Sequence, residues 1–444
     1  MSPNLEELLV FLRFPSISTQ SEHKEDLQAC AGWLADILRQ AGLNTHVEPT
    51  PGHPAVLAWS DRNPNLRTVL IYGHYDVQPP DPLAEWNHSP FEPAIKDNVI
   101  YARGATDNKG QIFAHVVAAS QLLKSPALPV NLIFLIEGEE EIGSPNLTDV
   151  LERHRDLLAC DIILISDTMM VAHNYPTLTY SLRGIATMEI RLTGPSHDLH
   201  SGVFGGAVCN PATALVQLLA SLHDKFGHVR IEGFYDDVRP PFDWERDETS
   251  NLPIDDDSIR RLAGVPGLFG EPGYSAIERI GFRPTAEING IGGGYQGEGS
   301  KTIIPKEAFA KISFRLVPHQ KPQEILALAK AHFEKKLPPG VAFHAEFGHS
   351  GEPYYVDPHS KFASAAKNAL QKVFNQKPAL LREGGSIPIL PVFRKTLGAD
   401  ALLLALASPD CNAHAPNENF PILNFENGIR LSRTVLEEIG RLPR

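Results

Sequence analysis

RTVLIYGHYD, residues 67–76, is the stretch that decides the fold expected for this chain. It is a run of β-prone apolar residues that ends abruptly in a histidine and an acid. VNLIFLIEGEEE (130–141) and CDIILISDT (160–168) share this form, and ALLLALAS (401–408) is a fourth apolar run. Unbroken apolar runs are typical of strands that are buried on both faces, as in a parallel sheet covered by helices. We therefore predict an α/β fold with a mainly parallel sheet.

The composition of the 444 residues is that of an ordinary globular protein with more than one domain. A prior of about 150 residues per domain predicts two or three domains. The formal net charge of −13, without a run of Lys and Arg, argues against nucleic acid or an anionic membrane as a partner. No apolar stretch approaches about 20 residues, and the N-terminus carries acids where a signal peptide carries bases. We expect a cytoplasmic enzyme.

A change of pattern near Ser181 marks a second domain. GIATMEIRLTG (184–194) alternates apolar and polar residues, which is typical of a half-exposed antiparallel strand. We predict a metal-binding domain of residues 1–181 and 356–444, interrupted by an inserted α+β domain of residues 182–355. The predicted helices cover residues 4–13, 25–42, 109–124, 211–224, 323–336 and 361–374, and further strands of the inserted domain are KISFRLVP (311–318) and VAFHAEFG (341–348).

Histidines and acids follow each apolar run. Each residue alone has an ordinary structural interpretation: a hydrogen-bonded His at a strand end, an acid at a helix N-terminus, or a solvated turn. Together they indicate a common site, because ligands bind beyond the carboxyl ends of the strands in open α/β sheets. The candidates are His74 and Asp76, Asp107, the run Glu139, Glu140 and Glu141, Asp167, and His414.

This set of side chains predicts a metal site. The four cysteines are scattered without a CxxC pair, so neither a disulfide framework nor a thiolate zinc site is indicated. Two imidazoles and three carboxylates suit a pair of divalent ions such as zinc or manganese that share a bridging carboxylate. Asp76 stands two residues from His74 on the same face of the strand, where its carboxylate can orient the His74 ring.

Eight motifs in order give the chain a resemblance to the co-catalytic metallopeptidase family of carnosine dipeptidases, aminoacylase and carboxypeptidase G. GHYDVQP and REGGSIP are most similar to the carnosinase-like dipeptidase branch. The remaining motifs are SPFEPAIKDNVIYARGATDNKG, EGEEEIGS, LISD, DLHSGVFGG, GSKTIIPKEAFAKISFRLVP and HAPNE.

The resemblance implies a role for each candidate in a two-metal hydrolase. His74 and Asp167 would hold one metal and Glu141 and His414 the other, with Asp107 bridging the two. Glu140 would be the general base, and Asp76 would orient His74. Glu139 has no role in the family and should be solvated. The Asp107–Asn108 peptide resembles one that is cis in the family. Zinc is the first expectation for the metal, with manganese and cobalt as alternatives.

The resemblance also implies substrate contacts from the inserted domain, which would act as a lid and dimerisation domain. His200 resembles a histidine that stabilises the oxyanion from the partner subunit of a homodimer. Arg315 would bind a substrate carboxylate, because guanidinium groups bind carboxylates in a bidentate manner. Closure of the lid would bring both onto the substrate. Weaker candidates for the same pocket are Thr302, Asn289 and Ser386, with His349 in a loosely aligned segment.

The predicted function is cleavage of dipeptides or short peptides that have a free C-terminal carboxylate. An N-acyl amino acid amidohydrolase with the same metals is the alternative enzyme. A noncatalytic dimeric binding protein is the alternative from another class, although the intact Glu140 argues against it. Gly292, Gly294 and Gly297 match GxGxxG without a surrounding βαβ unit, so we interpret them as a flexible loop near the substrate. A GxSxG motif is missing, which argues against a serine hydrolase.

Overall fold

The computed structural model describes residues 2–125 and 127–443. Within them the strands are β1 (Asn44–Glu48), β2 (Ala55–Trp59), β3 (Thr68–His74), β4 (Ala94–Lys96), β5 (Val99–Tyr101), β6 (Asn131–Glu137), β7 (Ile162–Ile165), β8 (Thr177–Leu182), β9 (Gly184–Thr193), β10 (Leu199–His200), β11 (Thr285–Gly293), β12 (Ile303–Ile304), β13 (Glu307–Leu316), β14 (Ala342–Gly351), β15 (Tyr354–Tyr355), β16 (Ala379–Glu383), β17 (Ala401–Leu404) and β18 (Asn419–Pro421). The helices are α1 (Pro3–Leu12), α2 (Lys24–Gln40), α3 (Lys109–Leu123), α4 (Leu147–Arg153), α5 (Arg155–Leu158), α6 (Ser201–Phe204), α7 (Pro211–Ala220), α8 (Asp243–Ser250), α9 (Asp256–Leu262), α10 (Ala276–Phe282), α11 (Pro322–Lys336), α12 (Lys361–Phe374), α13 (Leu390–Leu397) and α14 (Ile422–Gly440).

The chain divides into two units. Unit 1 consists of the described residues of Met1–Tyr180, Val356–Leu381 and Ile389–Arg444. Unit 2 consists of Ser181–Tyr355 and Arg382–Pro388. The short segment Arg382–Pro388 therefore differs from the predicted division, in which all of residues 356–444 returned to the first domain. Its first side chain explains the difference, because the buried guanidinium of Arg382 pairs with the buried carboxylate of Glu245 in α8 of unit 2.

Unit 1 is built on a sheet with a parallel centre. The strand order is β1-β2-β6-β3-β7-β17-β8, with β6, β3, β7 and β17 mutually parallel. These are the four apolar runs, and every residue of β3, β6, β7 and β17 is buried. The expected α/β fold is therefore confirmed. The antiparallel neighbours β1, β2 and β8 were not predicted.

Helices cover this sheet. Helix α3 packs against α14 and α1, and α12 packs against α14. Helix α3 is buried at twelve of its fifteen positions, which explains why its sequence shows little amphipathic pattern. In the described residues, no helix combines the length and the apolar character that crossing a membrane requires.

Unit 2 contains a four-stranded antiparallel sheet of order β11-β13-β9-β14. Strand β9 alternates between buried and partly exposed residues, as its sequence predicted. Its buried side chains Ala186, Met188, Ile190 and Leu192 form one core with residues of α7 and α11.

Two predictions for unit 2 were wrong. Helix α7 ends at Ala220 instead of Asp224, because the Asp224 carboxylate accepts the N–H groups of Phe226 and His228 and closes a turn. The predicted loop at Gly292–Gly297 begins inside a strand, since Gly292 and Gly293 belong to β11 and pair with Phe309 and Ala308 of β13.

Candidate metal centre

The parallel strands bring the candidate residues to one edge of the unit 1 sheet. His74 is the last residue of β3, and its register partner Glu137 is the last residue of β6. Asp167 follows β7 after a single residue. Glu140 and Glu141 lie in a short 3₁₀ turn, Glu140–Ile142, that follows β6. The carboxyl ends of neighbouring parallel strands meet at the same edge, which is why residues so far apart in sequence share a site.

Two groups of possible ligands share one carboxylate. The inner group consists of His74, Asp107 and Asp167, and the outer group consists of Asp107, Glu141 and His414. In each group, one ligand atom from every member lies within 4.8 Å of the others. Asp107 belongs to both groups because its two carboxylate oxygens face different histidines.

The distances show how Asp107 is shared. Oδ1 of Asp107 lies 3.1 Å from Nε2 of His74, and Oδ2 lies 3.0 Å from Nε2 of His414. The inner group is completed by Oδ1 of Asp167, 3.9 Å from Nε2 of His74. The outer group is completed by Oε2 of Glu141, 3.3 Å from Nε2 of His414. Asp107 is thus placed to bridge two cations.

Asp76 supports both groups. Nδ1 of His74 donates to the main-chain oxygen of Asp76 at 3.1 Å and lies 3.3 Å from its carboxylate. Because a carbonyl oxygen can only accept, Nδ1 carries a proton, and Nε2 is the ring nitrogen that faces the ligand group, where a metal ion would take the place of a second proton. The Asp76 carboxylate also accepts the N–H groups of Glu140 at 3.2 Å and Glu141 at 3.1 Å. One buried acid therefore orients a histidine and shapes the turn beside it.

Amide side chains hold two of the acids. Nδ2 of Asn108 donates to Oδ1 of Asp167 at 2.8 Å and to the main-chain oxygen of Ser166 at 2.6 Å. The Asp107–Asn108 peptide is cis, as the resemblance implied. Nε2 of Gln78 donates to Oε2 of Glu141 at 2.8 Å. The roles of Asn108 and Gln78 were not predicted, although both lie inside motifs used for the resemblance.

The chemistry of these groups fits divalent cations. Oε1 of Glu141 is buried and lacks a hydrogen-bond partner among the described residues, and the buried Nε2 of His74 faces only the carboxylates of Asp107 and Asp167. A buried polar atom without a partner is costly unless another group, such as a metal ion, satisfies it. Nitrogen and oxygen donors without a thiolate match zinc, manganese and cobalt. The residues present therefore fit a pair of such ions.

The electrostatics of the cluster favour added positive charge. Burial, followed by repulsion from Asp107, raises the pKa of Asp167 to about 7. Burial and the nearby carboxylates Asp167, Glu141 and Asp107 also raise the pKa of Glu140 well above its usual value. Hydrogen bonds to Asp107 and Glu141 raise the pKa of His414 to about 10. The repulsion between carboxylates at Asp167 and Glu140 and the carboxylate contacts of His414 all favour added positive charge, either protons or metal ions.

Comparison with known proteins identifies the family. A model described as peptidase family M20/M25/M40 matches residues 70–438. The chain belongs to this family. Cys-Gly metallodipeptidase DUG1 of Candida albicans is 33% identical to this chain over 459 residues. The match covers 98% of this chain and 94% of the relative. Beta-Ala-His dipeptidase of Homo sapiens is 32% identical over 399 residues, covering 88% and 78%.

A solved structure supports the same assignment. The M20 family metallo-carboxypeptidase Sso-CP2 from Sulfolobus solfataricus is 35% identical to the present chain. The TM-score is 0.87, and the match covers 100% of both chains. The protein is therefore a hydrolase of the metallopeptidase class, and its resemblance to the carnosinase-like branch is confirmed.

Glu139 of the M20 peptidase is not solvated, contrary to prediction. Its side chain is buried. The carboxylate accepts a hydrogen bond of 3.0 Å from the main-chain N–H of His53, and both of its oxygens lie 3.0 Å from the donor Nδ2 of Asn146. These partners hold the Glu139 side chain on the loop that contains His53. This contact could not be predicted from the motifs, since His53 lies 86 residues away from Glu139 and is outside them.

The predicted substrate residues of the M20 peptidase all lie in unit 2. Nη1 of the half-buried Arg315 donates to Oγ of Ser386 at 2.9 Å, and that hydroxyl donates to the main-chain oxygen of Arg183 at 2.5 Å. No carboxylate within the described residues forms an ion pair with Arg315. Its guanidinium is therefore available to an anionic ligand.

The other unit 2 candidates fall into two places. His200 is exposed, its Nδ1 accepts the N–H of Gly202 at 3.0 Å, and it pairs with Ile303 next to Thr302. Asn289 and His349 instead line a cavity of about 460 Å³ together with residues of β9, β13 and β14. Within unit 2, the structure thus joins Arg315 with Ser386, places His200 beside Thr302, and keeps Asn289 with His349.

Proposed function

We propose that this M20 peptidase is a dipeptidase that uses two divalent metal ions and acts on substrates with a free C-terminal carboxylate. The observation that carries the proposal is the sharing of Asp107 between the inner and outer groups. A carboxylate that faces two sets of ligands is the arrangement that a pair of metal ions requires. His74 and Asp167 would hold the inner ion, Glu141 and His414 the outer ion, and Asp107 both.

Bound divalent ions would polarise the scissile carbonyl and lower the pKa of water toward neutrality. Glu140 would act as the general base, taking one proton from water as the water oxygen attacks the amide carbon. The same carboxyl group would then deliver that proton to the leaving amine, so that proton transfer balances over the reaction. The position of Glu140 supports this role, since it lies directly beside the ligand Glu141 in the turn after β6 and belongs to neither ligand group itself.

Arg315 would bind the C-terminal carboxylate of the substrate. Support comes from its guanidinium, which Ser386 orients and which forms no ion pair within the described part of the chain. His200 would stabilise the oxyanion of the tetrahedral intermediate. This histidine would come from the partner subunit of a homodimer that forms through the inserted domain. We also propose that Thr302 and Asn289 contact the substrate, from the two separate places that they occupy in unit 2. The relatives named as dipeptidases support the short substrate.

Zinc is the metal we propose, with manganese and cobalt as the alternatives to test. We also propose a cytoplasmic location. The free cysteines Cys30, Cys160, Cys209 and Cys411 support it, because disulfides are uncommon in reducing compartments.

The first experiment is metal analysis together with a substrate panel. The purified protein should contain two divalent ions per chain and hydrolyse dipeptides such as Cys-Gly or β-Ala-His. Replacing the C-terminal carboxylate of a dipeptide by its amide should lower kcat/KM, and Arg315→Ala should remove that difference. Equal kcat/KM values for the acid and the amide with the wild-type protein would overturn the assignment of Arg315.

The same panel separates the alternatives. The whole-chain match to a metallo-carboxypeptidase favours tests of longer peptides, which a strict dipeptidase would reject. N-acetyl amino acids test for an N-acyl amino acid amidohydrolase. Binding of ions without turnover of any of these substrates would indicate the noncatalytic alternative.

A further inference from the structure

We propose that Glu418 is a positioning residue that holds Asp107 in its bridging orientation before any metal ion binds. This inference rests on the proposed two-metal function. Glu418 is the last residue of HAPNE, the motif that also contains His414. It belongs to neither ligand group and is fully buried.

A small sheet places Glu418 beside the loop that carries Asp107. Strand β18 pairs antiparallel with β5, with Asn419 opposite Tyr101. One residue further, the N–H of Ala102 donates to the main-chain oxygen of Glu418 at 3.1 Å. The chain that leaves β5 therefore passes directly by the Glu418 side chain on its way to Asp107.

Four donors converge on the Glu418 carboxylate. Oε1 accepts the main-chain N–H groups of Thr106 at 2.8 Å and Asp107 at 2.9 Å. Oε2 accepts the N–H of Gly104 at 2.9 Å and Nη1 of Arg103 at 2.7 Å. The loop wraps around one side chain, and the positive φ of Gly104, +82°, allows the turn that this requires.

Arg103 compensates the buried negative charge of Glu418 and connects it to the segment around Pro79. Its guanidinium is as buried as Glu418, so the two charges compensate each other away from water. Nη2 of Arg103 donates to the main-chain oxygen of Pro79 at 3.1 Å, and the group lies over the ring of Trp86. Pro79 ends the GHYDVQP motif that begins beside His74. Arg103 and Glu418 thus join three motifs.

The hydrogen bonds also exclude a ligand role for Glu418. A carboxylate has about four acceptor positions, and all four are used here by N–H donors. What Glu418 controls is the peptide of Asp107 itself. The Asp107 oxygens must face His74 and His414 at the same time, and a rotation of this peptide would give up one of these contacts. A bridging ligand therefore needs a fixed backbone more than a terminal ligand does.

The test compares wild type with Glu418→Gln. The carboxamide would direct an NH₂ group at two of the four donors, which removes acceptors and keeps the shape. Titration of chelator-treated protein with Co²⁺ should show about 10–100-fold weaker binding. The visible spectrum of bound Co²⁺ should also change. Saturating Co²⁺ should restore most of kcat, with KM for the dipeptide unchanged.

Glu271→Gln is the matched control. Glu271 is a buried carboxylate of unit 2 that accepts from Nε of Arg283 at 2.6 Å and from Tyr235 at 2.7 Å. The same chemical change there should lower the melting temperature without altering Co²⁺ affinity. Glu418→Asp retains the charge but is one methylene shorter, and it should also bind Co²⁺ more weakly.

A measurement on the wild-type protein does not depend on any variant folding. In chelator-treated protein, amide hydrogen exchange at Gly104, Thr106 and Asp107 should already be slow. Fast exchange that becomes slow only with Co²⁺ would overturn the inference. So would equal Co²⁺ affinity of wild type and Glu418→Gln, which would leave the proposed function intact. Wild-type protein that fails to bind two ions would overturn both proposals.

Discussion

The inner and outer ligand groups share Asp107 but are built in different ways. His74 of the inner group has no exposed side-chain surface, whereas the side chain of His414 in the outer group is 55% exposed. His74 ends a buried strand, and Asn108 and Asp76 orient the inner ligands. His414 lies in a loop and has a left-handed backbone with φ of 62°.

This difference indicates that the two ions should bind with different affinities. Ligands on strands with locked neighbours are held more tightly in place than ligands on loops. We therefore expect the inner ion to bind first and to leave last. The following predictions test this expectation, from the largest effect to the smallest.

The largest effect should come from Glu140→Gln, and it should be the same whichever ion binds more tightly. Loss of the general base should reduce kcat by about 10²–10⁴-fold. Two ions should still bind, because Glu140 is in neither ligand group. Measuring kcat for dipeptide hydrolysis and the metal content of the same sample tests the loss of rate and the retention of both ions. A variant as fast as wild type would show that Glu140 is not the base.

Replacing the two histidines separately tests the comparison directly. His414→Ala should lose the weaker ion and retain one ion per chain after gel filtration. His74→Ala should weaken the tighter ion and also lower the melting temperature of the metal-loaded protein, by about 2–4 °C for each kcal/mol lost. Both losses of affinity should exceed the about 10–100-fold typical of residues that only orient a ligand. Equal stoichiometry and stability in the two variants would contradict the proposed difference.

The stability of metal-depleted protein should fall as pH rises, in two windows that belong to the two groups. The pKa of Asp167 is raised from 3.8 to about 7, so the folded state binds more protons than the unfolded state between these values. The pKa of His414 is raised from 6.5 to about 10, which extends the loss of stability to higher pH. Melting temperatures should therefore decrease from pH 5 to pH 9.

Divalent metal ions should remove this decrease, since they take the place of the protons. Asp167→Asn should reduce the slope in the lower window and His414→Gln the slope in the upper one, and the slope that remains should come partly from the buried Glu137, whose pKa is raised to about 8. Melting curves with and without a chelator provide the measurement. A metal-depleted protein that becomes more stable between pH 5 and pH 9 would contradict the sign.

The smallest effect should come from Gln78→Leu. This change removes the amide that donates to Oε2 of Glu141, so only the outer ion should bind more weakly. A loss of about 1 kcal/mol corresponds to roughly fivefold in affinity. Asn146→Leu is the control, because Asn146 donates to Glu139, which is not a ligand. A similar loss in both variants, measured by titration calorimetry, would exclude a specific role for Gln78.

The sequence predicted those parts of the site that depend on strand ends. His74, Asp167 and Glu141 follow runs whose burial on both faces is visible in the residues themselves, and parallel strands must end together. The contacts of Glu139 and Glu418 could not be predicted in this way. Their partners are main-chain N–H groups of distant loops, and a main-chain group has the same chemistry whatever residue carries it. Strands β1 and β2 were missed because they lack a long apolar run.

Asp76 also has a consequence for how this fold can change during evolution. Its carboxylate holds the turn after β6 through the peptide N–H groups of residues 140 and 141, not through their side chains. The turn would therefore keep its shape if a descendant replaced either glutamate. A duplicated gene could lose catalysis by one substitution and still encode a well-folded protein, free to be selected as a receptor for small molecules.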